Sequence, residues 1–196
     1  MDSIYISCMP LTRKQVEFSV PEDHFDISEA FQTSRELYEL QLESHELLRK
    51  INEGNRELGN FLHNLNKRIE LITRSIATEE IVSGEFSISD ATISEGGISF
   101  TSNELLAIGS YLALKLWLTP ACLGLTCFLR VQHCRLNDQG DDYRIGGEFV
   151  DLDPITRRLI ARHVIHKQAE ERRQRLRDSL GDNLDVNHVD VRNEIK

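Results

Sequence analysis

The sequence predicts an α+β chain: a small antiparallel β-barrel with a C-terminal helix, joined to a long coiled-coil helix. Three observations predict it. Residues 34–82 lack proline and carry apolar residues at alternating steps of three and four. Residues 85–152 read as short alternating strands with no helix between them, and Asp153-Pro154 then opens a segment with one apolar face. At 196 residues, 40% hydrophobic and 28% charged, the chain suits one domain with a core plus an extended element and is short for two full domains.

Residues 1–33 form an N-terminal segment in which "VEFSVPEDHFDISEAF" mixes apolar and acidic residues, either to pack on the barrel or to extend the helical element. The opening "MDSIYISCMPLTRKQ" has no basic stretch followed by an apolar one, and no window approaches the roughly 18 to 20 apolar residues of a membrane span, so the expected compartment is the cytoplasm. Four cysteines, Cys8, Cys122, Cys127 and Cys134, show no CxxC pairing, and His133 beside Cys134 is the single hint of ligand chemistry. No metal site is expected, and the thiols are expected reduced and mostly buried.

Within 34–82 the seam runs Leu37, Leu40, Ser44, Leu47, Ile51, Asn55, Leu58, Leu62, Leu65, Ile69, Ile72 and Ile76, ten of twelve positions apolar. Thr33 and Glu36 have the form of a capping box at its start, and Ser83-Gly84 supplies a stop. A continuous helix would be about 70 Å long, whereas a compact domain of this size offers only about 30 Å to lie on, which favours self-association. The steps at Leu47, Ile51, Asn55 and Leu58 form a stutter, and Asn55 in the seam would fix register at some cost in stability. Leu and Ile are mixed at both seam positions, so a three- or four-stranded bundle suits them as well as a dimer.

Residues 83–177 hold the barrel and its closing helix. Leu112, Leu114, Leu116 and Leu118 alternate with Ala113, Lys115 and Trp117, giving a strand one buried face. "FLRVQHC" and "YRIGGEFV" form a hairpin across "RLNDQGDD", and "EFSIS" and "GGISF" bring the strands to about five, whose edges closure would hide. Asp153 caps the last helix, Pro154 suits its first turn, and Ile155, Leu159, Ile160 and Val164 face the barrel. Net charge is −9, but Pro154 to Arg177 carries eight Arg and Lys against Glu170 and Glu171, before an acidic tail at 178–196. The overall charge speaks against nucleic-acid binding, and a solvated face accounts for the basic run.

One turn carries the ligand question. In "TISEGGISF", Thr92–Phe100, two hydroxyls, an acid and a glycine pair precede an apolar alternation; such a turn either cradles an anion on its backbone N–H groups or connects two strands. If it serves the fold alone, Thr92 and Ser94 cap backbone groups and Gly96 or Gly97 adopts a positive φ.

From "ISEGGISF" through "IGSYLALKLWL" and "FLRVQHC" to "YRIGGEFVDLDPITRRLIARHVIHKQAEERR", roughly residues 85–175, the chain resembles the PilZ family, most closely at "YRIGGEFVDLD". With its heptad-bearing helix it is similar to an atypical branch of PilZ proteins that assemble as tetramers. The resemblance implies a six-stranded PilZ-like barrel, a homo-oligomer with a tetramer favoured, and a role with protein partners in bacterial cyclic di-GMP signalling, in control of motility, surface behaviour or virulence. Family members that bind cyclic di-GMP use an Arg-x-x-x-Arg segment before the barrel and an (Asp or Asn)-x-Ser-x-x-Gly turn. Here Ser94 and Gly97 match, but Thr92 replaces the acid and offers a guanine edge one hydroxyl in place of two carboxylate oxygens. Upstream, Arg68 and Arg74 are separated by five residues and lie about 600° apart around a helix, a poor clamp. The chain therefore reads as a non-enzymatic adaptor with a degenerate cyclic di-GMP site and no cofactor; the alternative is a genuine cyclic di-GMP receptor drawing arginines from elsewhere, such as Arg13 with Lys14 or a neighbouring subunit. Seven scattered histidines give no nucleophile and acid at a spacing that suggests catalysis, and His45 and His63 are expected on the solvated side of the helix.

Overall fold

A computed structural model describes residues 2–84, 86–137 and 141–185, with side chains described except at 2, 3, 88–90 and 178–185. Six strands, β1 (Asp2–Leu11), β2 (Ser87–Ile93), β3 (Gly97–Ser102), β4 (Tyr111–Leu118), β5 (Leu123–Leu136) and β6 (Tyr143–Val150), close an antiparallel barrel in the order β1-β2-β3-β6-β5-β4. The first strand is the piece that the sequence left open: Ile4 and Ile6 alternate into the core, and β1 pairs with β2 on one side and along β4 on the other. Without it the barrel would have two free edges. The expected β5–β6 hairpin forms, with a register shift between Val131 and His133.

One expectation about β4 is corrected. Both of its faces are buried, not one: Leu112, Leu114, Leu116 and Leu118 fill the barrel, while Ala113, Lys115 and Trp117 on the outside are covered by other elements. A short helix, α1 (Arg13–Phe18), places Val16 against Ala113 and Phe128. Helices α2 (Glu29–Gly54) and α3 (Arg56–Ser83) bring Phe31 and Ala77 against Trp117 and Cys122.

The helical region is also corrected, because it is a hairpin and not one continuous helix. Gly54 has low helix propensity and Asn55, expected as a seam residue, caps α3 instead: its Oδ1 accepts from Leu58 N at 3.0 Å. At the turn, a Cβ on Gly59 would lie 2.8 Å from Asn52 Cα, so glycine lets the two helices approach. At the other end Ser28 Oγ donates to Glu80 Oε2 at 2.6 Å, and the helices are therefore antiparallel, each about 40 Å long. The start is Ser28, not Thr33: Ser28 Oγ accepts from Phe31 N at 3.0 Å, and Thr33 lies inside α2. The stop at Ser83-Gly84 forms as expected.

Antiparallel pairing divides the predicted seam. Leu37, Ile51, Leu62 and Ile69 are partly covered, whereas Leu40, Leu47, Leu58, Leu65, Ile72 and Ile76 are exposed, together with Phe61. The base of the hairpin is anchored on the barrel. There Lys115 on β4 is 7% exposed; its ammonium donates to the Asp26 carbonyl at 2.9 Å, pairs with Glu80 at 3.2 Å and stands over the Phe31 and Phe86 rings. Ser34 on α2 accepts from Gly124 N of β5 at 3.2 Å.

The closing helix α4 (Pro154–Asp185) begins on Asp153, whose Oδ1 accepts from Ile155 N and Thr156 N, each at 2.9 Å. Burial would raise this carboxyl, but the Thr156 hydrogen bonds and the charge of Arg35 outweigh it and hold it below the usual range. Leu159 and Ile160 enter the core with Val164 packed beside them, as expected; Ile155 is exposed instead, and Thr156 and His163 are buried in its stead. The helix runs past residue 178, and the rest of the expected acidic tail, 186–196, lies outside the described residues.

Candidate functional site

The β2–β3 turn is built from its own backbone. Ser94 N donates to the Gly97 carbonyl at 2.8 Å, and Ser94 Oγ bridges the same carbonyl (3.1 Å) and Gly97 N (3.2 Å). Phe149 N on β6 donates to the Gly96 carbonyl at 3.0 Å. Ser94 thus serves the turn as the sequence predicts. The expectation of a positive φ does not hold: neither Gly96 nor Gly97 lies in the left-handed region. Gly97 is needed for another reason, since a Cβ there would collide with the Gly147 carbonyl on β6, whereas nothing crowds Gly96.

Thr92, at the end of β2, is exposed, and its Oγ1 accepts a long hydrogen bond of 3.5 Å from Arg144 Nη2. Arg144 sits on β6, opposite Thr101, inside the "YRIGGEFV" motif; the sequence alone does not pair it with Thr92, because the contact crosses β3. Beside Thr92 lies a recess of about 210 Å³, roofed by Lys167, Gln168 and Glu171 of α4 with buried His163 at its floor. Its lining carries one cation, Lys167, and one carboxylate, Glu171, and none of Ser94, Glu95, Gly96 or Gly97 belongs to it.

The two upstream arginines are not brought to this turn together. Arg68 and Arg74 are both exposed on α3, and Arg74 lines a cavity away from the turn. That cavity, about 480 Å³, lies between α2, α3, the Pro120-Ala121 loop and α4; it is separate from the recess at Thr92 but shares His163 and Lys167 with it. Arg13, named in the receptor alternative, pairs with Glu17 at 2.8 Å on α1. The histidines correct an expectation, since His45, His63, His163 and His166 converge on the larger cavity instead of lying scattered, with the His45 and His166 rings 6.2 Å apart. Their sequence positions carry no such signal, because α2, α3 and α4 meet only through tertiary packing.

Cys122 and Cys127 are buried as expected, whereas Cys134 is half-buried and Cys8 is exposed. Burial raises Cys127 far beyond its ordinary value and raises Cys122 as well, the latter offset in part by the charge of Arg74 and a hydrogen bond with it. Among the described residues no group of three or more His, Cys, Asp or Glu could hold a metal ion, and no helix is long and apolar enough to cross a membrane.

Residues 73–166 match the family model of the PilZ domain. No curated protein matches the chain in sequence. Among solved structures, the chain is similar to the Bacillus subtilis inhibitor of motility MotI/DgrA, at 17% identity over 45% of this chain and 44% of that one, TM-score 0.38. It is similar to K. pneumonia MrkH in its apo state, at 22% identity over 47% and 44%, TM-score 0.38. It is also similar to a pathogenic protein from Xanthomonas campestris described as a tetrameric PilZ domain self-assembled through a helical bundle, at 16% identity over 87% and 90%, TM-score 0.48. The match spans under half the length of the first two of these proteins.

Proposed function

From the match of residues 73–166 to the family model of the PilZ domain, we propose that this chain is a non-enzymatic regulatory module of cyclic di-GMP signalling that acts through protein partners. Its barrel retains the shape of a ligand-binding turn but not the ligand chemistry. One observation carries this: Ser94, the matching serine, spends its hydroxyl on the carbonyl and N–H of Gly97 within the turn, at 3.1 and 3.2 Å, while Arg74 opens into a different cavity. A clamp needs two guanidinium groups facing one ligand, because phosphate recognition by arginine is planar and bidentate.

Isothermal titration of the purified protein with cyclic di-GMP tests this. No saturable heat is expected, from the wild type or from Thr92→Asp, which restores the acid without the clamp. Micromolar or tighter binding by either protein that Arg144→Ala abolishes would overturn the proposal.

The receptor alternative is favoured by one contact: Arg144 from β6 reaches Thr92 and sets a guanidinium beside the turn. If cyclic di-GMP binds and Arg144→Ala abolishes that binding, the receptor reading replaces the adaptor.

The same proposal includes self-assembly through the hairpin. Leu40, Leu47, Leu58, Phe61, Leu65, Ile72 and Ile76 form an exposed apolar set on a hairpin anchored at its base, more than a solvated helix pair needs. Packing two such hairpins would bury these side chains in a helical bundle of the kind the seam predicts.

A further inference from the structure

The larger cavity is a built site that the adaptor reading leaves unused. We infer that the groove between the α2–α3 hairpin and α4 binds an organic phosphate, an anion carried on an aromatic or apolar body, and that its histidines make this binding stronger as pH falls.

The groove has the size and the mixed lining that such a ligand needs. Its volume, about 480 Å³, falls in the range of small-molecule sites. Tyr38, Leu42 and Leu48 of α2, with Pro120 and Ala121 from the β4–β5 loop, offer an apolar wall for a ring. Opposite them stand Lys67 and Arg74 on α3 and Lys167 on α4, cations from two separate elements converging in a chain whose net charge is −9. Lys167 is held toward the groove by a 3.5 Å hydrogen bond from its ammonium to the Thr119 carbonyl.

Charge decides the pH dependence. Every charged or titratable group lining the groove belongs to one of three helices: Tyr38 and His45 on α2; His63, Lys67, Glu70 and Arg74 on α3; His163, His166, Lys167 and Glu170 on α4. Cys122, outside the lining, meets Arg74, and burial raises its thiol above the ordinary value. With neutral imidazoles the three cations exceed the two carboxylates by one charge. His45, His63 and His166 are exposed at the rim, and each that protonates adds another positive charge facing the ligand. An anion favours protonated imidazoles over neutral ones, so affinity rises as pH falls. The sign would reverse only for a cationic ligand.

The test uses cyclic AMP, a phosphodiester on an aromatic base whose single charge does not titrate near neutrality, so any pH dependence belongs to the protein. Calorimetric titration of the full chain at about pH 6 and pH 8 should give saturable binding, about tenfold or more tighter at the lower pH. Arg74→Gln with Lys167→Gln, which remove the charge and keep a polar side chain, should weaken it about tenfold or more at both pH values, with an unchanged melting temperature as the folding control. His45→Ala with His166→Ala should flatten the pH dependence, and Thr92→Ala should leave binding unchanged. No saturable heat at pH 6, or full affinity in the Arg74/Lys167 variant, would overturn the site; loss on Thr92→Ala would move it to the barrel turn; and a pH dependence that survives removal of the two histidines would overturn their role. Cyclic di-GMP belongs to the same ligand class, so the variants separate the two readings: heat with cyclic di-GMP that is lost in the Arg74/Lys167 variant but kept in Arg144→Ala belongs to the groove, and heat with the reverse dependence overturns the adaptor proposal while leaving the groove to the cyclic AMP titration.

Discussion

At Gly97 a side chain is excluded because the carbonyl of Gly147 on β6 occupies its place. The close approach of β3 to β6 at the turn follows from that one missing Cβ, and so does the Phe149 N to Gly96 carbonyl bond next to it. Gly97→Val should therefore lower stability by about 2 kcal/mol, the cost of forcing atoms into a packed position. Gly96→Ala, at a neighbour with open space and no left-handed backbone, should stay within about 0.5 kcal/mol. Urea denaturation of the two variants checks this, and equal losses would show that the turn itself, not the strand contact, sets the requirement. The glycine pair was legible in the sequence; which of the two matters, and why, depended on the strand that crosses behind it.

Between elements, the Lys115–Glu80 pair couples the hairpin to the barrel. Lys115 is 7% exposed, and its ammonium is satisfied by the Asp26 carbonyl, the Glu80 carboxylate and two aromatic faces, while Glu80 also accepts from Ser28 at the start of α2. Lys115→Met would leave the Glu80 carboxylate without its cation in an apolar contact, at a cost of about 3 kcal/mol. The double variant Lys115→Met with Glu80→Leu should recover most of that loss, because two apolar side chains replace a buried ion pair at little cost. A double-mutant cycle in chemical denaturation measures the coupling, and a double variant as unstable as the sum of the singles would rule out a direct interaction. The sequence showed only a lone lysine in an apolar alternation, and a covered outer face was not foreseen.

Over the whole molecule, a hairpin about 40 Å long leaves its apolar stripe exposed, and the proposed self-assembly rests on that stripe. Replacing Leu58 and Leu65 with Asp would place charges where the stripe must be desolvated. Light scattering should then report monomers, with the barrel's near-ultraviolet circular dichroism unchanged, since Trp117 and the barrel leucines are distant in the chain from both substitutions and are fully buried elsewhere. An unchanged mass in the doubly substituted protein would show that the hairpin is not the assembly element.

What the sequence determined alone was what local periodicity and turn chemistry encode: the alternating strands β2 to β6, the Asp153 cap of α4, the stop at Gly84, the apolar stripe of residues 34–82, and the missing acid at Thr92. These signals are read within a few residues of where they act. Tertiary structure decided the rest. Whether Gly54-Asn55 bends a helix or lies within one depends on whether α3 gains more by folding back on α2 than by continuing. Whether "IYIS" closes a barrel depends on β2 and β4 both offering an edge, more than 80 residues away in the case of β2. The histidine groove and the Arg144–Thr92 contact arise where separate elements converge, and no spacing along the chain records that convergence.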